Sequence, residues 1–284
     1  MTPFDQHSTA ADVLQGVDLT GRRFLVTGGA SGLGAETIKA LRYAGADVAA
    51  PPRRDLDLAD LDSVRAFTGA LRGSPLHGVI ANAGIMALPE LTRAANGWEL
   101  QLAVNYLGHF ALITGLELTA DARVVMVSSG GHLMAGVDFD DPQFERRPYD
   151  PWMAYGQSKT ADVLLAVGLA RRGITANALA PGRIHTGLQR HLPAATMRAM
   201  GAMEADGTLI QADGFKTPEQ GAAASVLLAA SPLVDGVSGA YFDEDLQEAP
   251  VVPGGAGLHA GVAGWAVDPQ NAERLWELGT KALA

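Results

Sequence analysis

Tyr155 and Lys159 stand four residues apart in Ala154-Tyr155-Gly156-Gln157-Ser158-Lys159. On a helix that spacing puts both side chains on one face. A free phenol holds its proton up to about pH 10. A lysine cation within a few ångströms favours the tyrosinate and lowers that value. Such a phenol can give a proton to a carbonyl oxygen or take one from an alcohol. A hydroxyl aimed at the same oxygen stabilises the charge that develops there. Ser128-Ser129 closes the apolar run Arg123–Val127 and offers two candidates. Tyr/Lys pairs at this spacing are also common surface contacts, and serines often end strands, so the acid–base chemistry needs further motifs to stand on.

Other chemistries find little support. The chain has no Cys, which removes thiolate nucleophiles, disulfides and Cys-ligated zinc. Its seven His show no His-x3-His or His-Glu-x2-His spacing, so no metal site is expected. His185 and His191 lie near the expected substrate side, where a solvated loop position is the simplest reading of His185. Gly-x-Ser-x-Gly is absent, which leaves hydrolase chemistry without a nucleophile elbow. The 284 residues carry 21 Lys+Arg against 31 Asp+Glu, a net charge of −10, with 48% hydrophobic residues. That composition supplies a large core and argues against nucleic acid or anionic membranes as partners. The apolar runs Val163–Ala170 and Ser225–Ala230 are far shorter than the ~20 residues of a membrane span. Residues 1–20 hold Asp5, Asp12 and Asp18 and no basic run, so no secretory leader is expected and a cytoplasmic location is the expectation.

The elements that must position the pair follow a βαβ pattern. Strands are expected at Arg23–Thr27, Asp47–Ala50, Gly78–Ala81, Arg123–Ser128, Ile174–Ala180 and Ala240–Phe242. Helices are expected at Leu33–Ala44, Val64–Leu71, within Gly97–Leu118, at Trp152–Arg172 and at Pro218–Ala230. Gly28-Gly29-Ala30-Ser31-Gly32-Leu33-Gly34 joins the first strand to the first helix. Glycines in that position let backbone approach a pyrophosphate, and the helix start offers free N–H groups to an anion. The spacing is Gly-x3-Gly-x-Gly, not the Gly-x-Gly-x2-Gly dinucleotide fingerprint. A ligand-free glycine turn would look the same in isolation.

That spacing resembles the short-chain dehydrogenase/reductase family, and further motifs match in the family's order: Asn82-Ala83-Gly84, Asn105 in Val104-Asn105-Tyr106-Leu107-Gly108-His109-Phe110, Ser129, Tyr155 with Lys159, and Pro181-Gly182-Arg183-Ile184-His185-Thr186. The resemblance spans about residues 20–280, and its segments look like the retinol-dehydrogenase and WW-domain-oxidoreductase-like branch. It implies a Rossmann-like doubly wound parallel α/β sheet and hydride transfer to or from a nicotinamide. It also implies roles. Family register makes Ser129 rather than Ser128 the catalytic serine and Tyr155 the acid–base. Lys159 would hold the nicotinamide ribose, and Asn105 would hold a water in a proton relay. Gly28, Ser31, Gly32, Leu33, Gly34, Asn82, Ala83, Gly84, Pro181, Gly182, Ile184 and Thr186 would contact the cofactor.

Two regions depart from the pattern. After the second strand, Ala49-Ala50-Pro51-Pro52-Arg53-Arg54-Asp55 places Arg53 where a basic residue attracts the 2′-phosphate of NADP. NADP(H) is therefore favoured over NAD(H), against the dissent of Asp55. The Asp57-Leu58 pair expected to flank adenine follows only four residues after Arg53. Four residues reach about 13 Å, too little for a βαβ crossover of ten or more residues. The usual third strand and its crossover helix should be missing, and strand two should be an edge, where Pro51-Pro52 is tolerable. Arg53, Arg54, Asp57 and Leu58 would then hold the adenosine end.

The expectation is one Rossmann-fold domain over 1–284, with a core at about 20–245, a lid at 187–216 and a C-terminal extension at 246–284. Met197, Met200 and Met203 recur in a helix-prone run, Ala194–Ala205, and suit an adaptable apolar lid; packing on the core explains them equally well. The expected activity is NADP(H)-dependent carbonyl reduction or alcohol oxidation on a small to medium apolar substrate, as a monomer or a homo-oligomer. The rival readings are an NADP(H)-binding scaffold or sensor without turnover, and a nucleotide-sugar epimerase or dehydratase, whose relatives carry a different glycine loop and longer chains.

Overall fold

The computed structural model describes residues 1–199, 201–210, 215–255 and 260–284. The alternation of buried apolar side chains along short strands builds one parallel sheet between two layers of helices. The elements run α1 (Ala10–Val13), β1 (Arg23–Val26), α2 (Gly32–Tyr43), β2 (Asp47–Ala49), α3 (Leu61–Ala70), β3 (Leu76–Ala81), α4 (Leu100–Leu102), α5 (Gly108–Gly115), β4 (Leu118–Val127), α6 (Pro151–Ala170), β5 (Thr175–Leu179), α7 (Ala194–Ala199), α8 (Pro218–Gly221), α9 (Ala223–Ala230), β6 (Tyr241–Phe242), β7 (Val251–Val252), β8 (Val262–Ala263), α10 (Gly264–Val267) and α11 (Pro269–Leu283). The sheet order is β2-β1-β3-β4-β5-β6, and β7 pairs with β8 separately.

Successive strand residues point to opposite faces. Leu25, Val79, Val124, Met126, Ala176 and Ala178 pack into one cluster with α3, α5, α6 and α11. Phe24, Val26, Ile80, Val125, Val127 and Leu179 pack into the other with α1, α2 and α9. Both faces of the central strands are covered, which is why these strands are continuously apolar. Buried residues on either side of the expected 20–245 core join these clusters: Ala10, Val13 and Leu14 in one, and Val262, Ala266, Ala272 and Leu275 in the other. Among the described residues no helix is long and apolar enough to cross a membrane.

β2 is an edge strand, hydrogen-bonded on one side to β1 from Arg23↔Asp47 to Leu25↔Ala49. Residues 53–60 form turns and an extended link with no strand. Asp55 and Leu56 donate their N–H groups to Pro52 O, at 2.9 and 3.1 Å, so the chain turns immediately after the prolines. Leu56 and Leu58 are buried in the sheet's core cluster. Leu58 reaches it by lying directly on Gly108, where an added Cβ would come 2.3 Å from Leu58 O. The chain thus bypasses the missing strand and helix by laying backbone against the start of α5.

Two expected helices are revised. The long helix within Gly97–Leu118 is interrupted by a π-helical turn, Ala103–Leu107, between α4 and α5. The helix expected over Ala194–Ala205 ends at Ala199, and Met203 lies in an antiparallel bridge with Leu209. Gly201, with φ of 65°, turns the chain there.

Gly108→Ala tests the bypass. Forcing a methyl against Leu58 O should cost about 1–3 kcal/mol, the usual range for overpacking a filled site. Denaturant unfolding of the two proteins measures it; equal midpoints and slopes would mean that the 56–58 segment is not seated on α5.

Candidate active site

A cavity of about 1230 Å³ opens at the C-terminal ends of the strands, where open α/β sheets bind their ligands. Its lining includes all but one of the residues expected to touch the cofactor: Gly28, Ser31, Gly32, Leu33, Gly34, Arg53, Asp57, Leu58, Asn82, Ala83, Gly84, Tyr155, Lys159, Pro181, Gly182, Ile184 and Thr186. Ser128 and Ser129 also line it. Arg54 does not; its side chain is 83% exposed and faces Asp55 at 3.7 Å.

The turn after β1 is built for close approach. Gly28 has φ of 68°, and a Cβ at Gly34 would come 2.4 Å from Gly28 O. Ser31 caps α2 without a side-chain hydrogen bond, so the first-turn N–H groups of this 12-residue helix stay available to an anion. Asn82 clamps the turn: its Nδ2 donates to Thr27 O at 2.9 Å and to Gly28 O at 3.2 Å. Together with the cavity's size, this cradle fits a dinucleotide.

At the rim, Asp57 accepts Ala59 N–H at 3.0 Å through Oδ1. Its Oδ2 accepts from the Arg53 guanidinium at 3.1 Å. Both carboxylate oxygens are engaged, while Arg53 is 80% exposed and keeps further donors.

The catalytic candidates sit on α6 and the end of β4. Asp150 and Pro151 start α6, with Asp150 Oδ1 accepting Trp152 and Met153 N–H. Tyr155 is buried; its ring packs on Gly131 and lies edge-on to Trp152, centroids 6.2 Å apart. Lys159 Nζ is 5.9 Å from the Tyr155 ring centroid. It donates to Val127 O at 3.0 Å and to Asp162 Oδ2 at 2.8 Å, which leaves one of its three N–H groups for a ligand. The two serines separate. Ser128 is buried and donates to Lys159 O at 2.7 Å, whereas Ser129 is half-buried and accepts Gly131 N–H at 3.1 Å.

Asn105 stands behind the cavity wall, in the π-helical turn. Its Oδ1 accepts Ile85 N–H at 2.9 Å, and its Nδ2 donates to Ile85 O at 3.0 Å and Ser158 Oγ at 2.8 Å. Its carbonyl meets His109 Nδ1 at 2.8 Å. The Asn105 side chain thus ties Ile85 to Ser158 on α6.

His109 and Thr27 complete this network. Thr27 Oγ1 accepts Asn82 N–H at 3.0 Å and Ala83 N–H at 2.9 Å, and lies 2.9 Å from His109 Nε2. A carbonyl can only accept, so Nδ1 carries the hydrogen; Nε2 then accepts from the Thr27 hydroxyl. Neutral imidazole satisfies every partner. Burial holds the His109 pKa down at about 4. The sequence reading missed His109, although it lies one helical turn after Asn105. It also missed Asp162, one turn after Lys159.

The lid residues divide. Met197 is buried and lines the cavity, with Leu188 and Phe215; Met203 is not among the lining residues, and Met200 lies outside the described residues. His185 is not a solvated loop residue. It stacks on Phe215 with centroids 4.4 Å apart, and Nε2 meets Ile210 O at 2.7 Å.

Fold and site together define an oxidoreductase built on a Rossmann-type sheet, and the comparisons with known proteins agree. No family model matches the chain. It is 56% identical to a "probable oxidoreductase" of Streptomyces antibioticus, over 94% of this chain and 99% of that one. It is 36% identical to the short-chain dehydrogenase/reductase prx1 of Penicillium roqueforti, over 99% and 92%. It is 38% identical to human retinol dehydrogenase 14, over 79% and 64%. Among solved structures, the 3-alpha-hydroxysteroid dehydrogenase of Pseudomonas sp. B-0831, complexed with NADH, aligns with a TM-score of 0.60 at 25% identity, covering 78% of this chain and 94% of that one. The chain belongs to the short-chain dehydrogenase/reductase family, in its retinol-dehydrogenase-like branch.

The His109 bridge makes a pH-dependent contribution with a definite sign. Imidazole protonates near 6.5 when unfolded, but only at about 4 here. The stability it contributes is complete above pH 6.5 and is lost as pH falls from there toward 4, by about 3 kcal/mol at one pKa unit per 1.36 kcal/mol. Unfolding free energies at pH 7 and 4.5 should differ less in His109→Asn than in the parent; an identical pH slope in both would mean that His109 titrates normally.

Proposed function

We propose that the protein interconverts a carbonyl and a secondary alcohol on a small to medium apolar substrate, with NADP(H) as cofactor. The reading is carried by one observation: Ser129, Tyr155 and Lys159 line the same cavity as the glycine cradle. When bound, the nicotinamide supplies or takes the hydride. Tyr155 supplies the proton to the carbonyl oxygen in reduction and removes it from the alcohol in oxidation. The Ser129 hydroxyl donates to that same oxygen. The remaining N–H of Lys159 holds a ribose hydroxyl. Met86, Leu100, Val104, Trp152 and Met197 line the cavity and favour an apolar substrate.

Arg53 supports NADP(H). Asp55, the neighbouring acid that could favour NAD(H), faces Arg54 at 3.7 Å and is not among the lining residues, while Asp57 is paired with Arg53. Arg53 Nε and Nη2 are oriented by that pair, and its other donors remain for a 2′-phosphate. The proposed organisation is one domain over 1–284, with 187–216 closing over the substrate.

Tyr155→Phe should abolish turnover on a panel of carbonyls while NADPH titrates as tightly as in the parent. Lys159→Ala should weaken both. A Phe variant retaining more than a few per cent of parental kcat would remove Tyr155 from the proton transfer.

NADPH should bind more tightly than NADH, and Arg53→Ala should narrow the difference. A charge-assisted hydrogen bond contributes about 1.5–3 kcal/mol, or roughly 10–150-fold. Fluorescence titration at fixed salt measures both; equal affinities in the parent would reverse the cofactor assignment.

A further inference from the structure

Asp162 is the one acid that contacts the proposed machinery from inside the core among the described residues. It lies one turn after Lys159 on α6 and is 1% exposed. Oδ2 accepts from Lys159 Nζ at 2.8 Å. Oδ1 is buried and meets no hydrogen-bond partner among the described residues. A buried carboxylate with an unsatisfied oxygen is costly, and in this place its one polar partner is the ammonium. An amide of the same shape would bring no charge, so the charge is what distinguishes the aspartate.

We propose that Asp162 is a positioning residue that acts through Lys159: it anchors the ammonium against Val127 and balances its charge, so that Tyr155 stays a neutral proton donor to higher pH than an unbalanced lysine would allow. Lys159 Nζ is pinned between two acceptors on its inner side. Its outer N–H still reaches the cavity, but the net charge seen by Tyr155 is that of an ion pair. Desolvation works against the cation, and Asp162 and Tyr155 outweigh it, so the Lys159 ammonium is held above the ordinary lysine range. Burial raises Asp162 to about 6 against the pull of Lys159, which leaves it ionised at neutral pH.

The other groups facing the pair do not supply this balance. His109, from the α5 side, is neutral. β4 presents the Val127 carbonyl and the Ser128 hydroxyl. His132 turns its carbonyl to Thr160 and packs its ring on Tyr241, which burial keeps protonated. Arg172 and Glu273 pair with each other at the far end of α6. Glu99, before α4, is bonded to its own helix start.

The catalytic consequence rests on the hydride-transfer reading, in which Tyr155 hands its proton to the carbonyl oxygen during reduction. The test needs neither substrate nor cofactor, so a protein that turned over no carbonyl would still be informative. Tyrosinate absorbance is titrated in the parent and in Asp162→Asn, each with its Tyr155→Phe counterpart subtracted. Removing a negative charge beside the lysine should bring Tyr155 down by about one pH unit, the lower end of the range for a nearby charge. An unchanged or raised Tyr155 titration in a folded Asp162→Asn protein overturns the proposal. If that variant does not fold, carbon-13 resonances of the four lysines in the parent decide. The Lys159 side chain should keep its ammonium shift beyond the ordinary lysine range; deprotonation at or below that range overturns the proposal.

Discussion

The site depends on satisfying buried backbone where the central strands end. β1, β3 and β4 all stop in the core, and their last residues turn toward the cavity instead of continuing a ladder. Thr27 Oγ1 meets this need for two N–H groups of the Asn82–Ala83 turn, and it can do so because its own hydrogen goes to His109. His109 in turn ends on the Asn105 carbonyl, which lies within the π-helical turn. Asn105 then bonds to Ile85 and Ser158. One unbroken line of hydrogen bonds therefore runs from the phosphate-side turn to the helix bearing Tyr155. A mismatch at any link strands a donor or acceptor in a dry interior, at about 1–3 kcal/mol.

This line also explains what could and could not be read from sequence. The strands, the glycine turn and the Tyr155–Lys159 helix follow from short continuous apolar runs, from glycine spacing and from helical spacing, and they are where those signals placed them, to within a few residues. The edge position of β2 was legible because it is a question of length: four residues between Arg53 and Asp57 cannot hold a crossover. What spacing cannot show is which polar side chains pair across elements. Thr27 and His109 are 82 residues apart, and nothing local marks their contact. His109 reads as one more residue of an apolar helix, and Asp162 as a polar interruption of another. The Ala194–Ala205 run failed for a different reason: its composition favours helix throughout, but Gly201 turns the chain and Met203 pairs with Leu209.

Loss of a strand and its crossover changes the cofactor end more than the reacting end. In a doubly wound sheet each added crossover covers a face with a helix. Without it, Leu56 and Leu58 fill the core from a link segment, and Leu58 lies directly on Gly108. The same link carries Asp57, so the residue that orients Arg53 is held in place by the core packing of its immediate neighbours on either side. Side chains at this rim of the cavity thereby inherit their position from hydrophobic burial rather than from a neighbouring strand.

The reacting end is protected from that economy by the depth of α6. From Ala154 to Leu169 every residue of this helix is buried, with α11 and α10 packed against it in addition to the sheet. Trp276 packs against Gly168 and Phe110, and Tyr106 Oη donates to Leu275 O at 2.7 Å. The C-terminal residues are therefore part of what holds Tyr155 and Lys159 in low dielectric. Burial strengthens every electrostatic interaction along α6, so a cation left unbalanced there would act strongly on any neighbouring phenol. An acid one turn away counters that field without exposing the helix to water, and it does so from the buried side of Lys159, leaving the cavity side to the ligand.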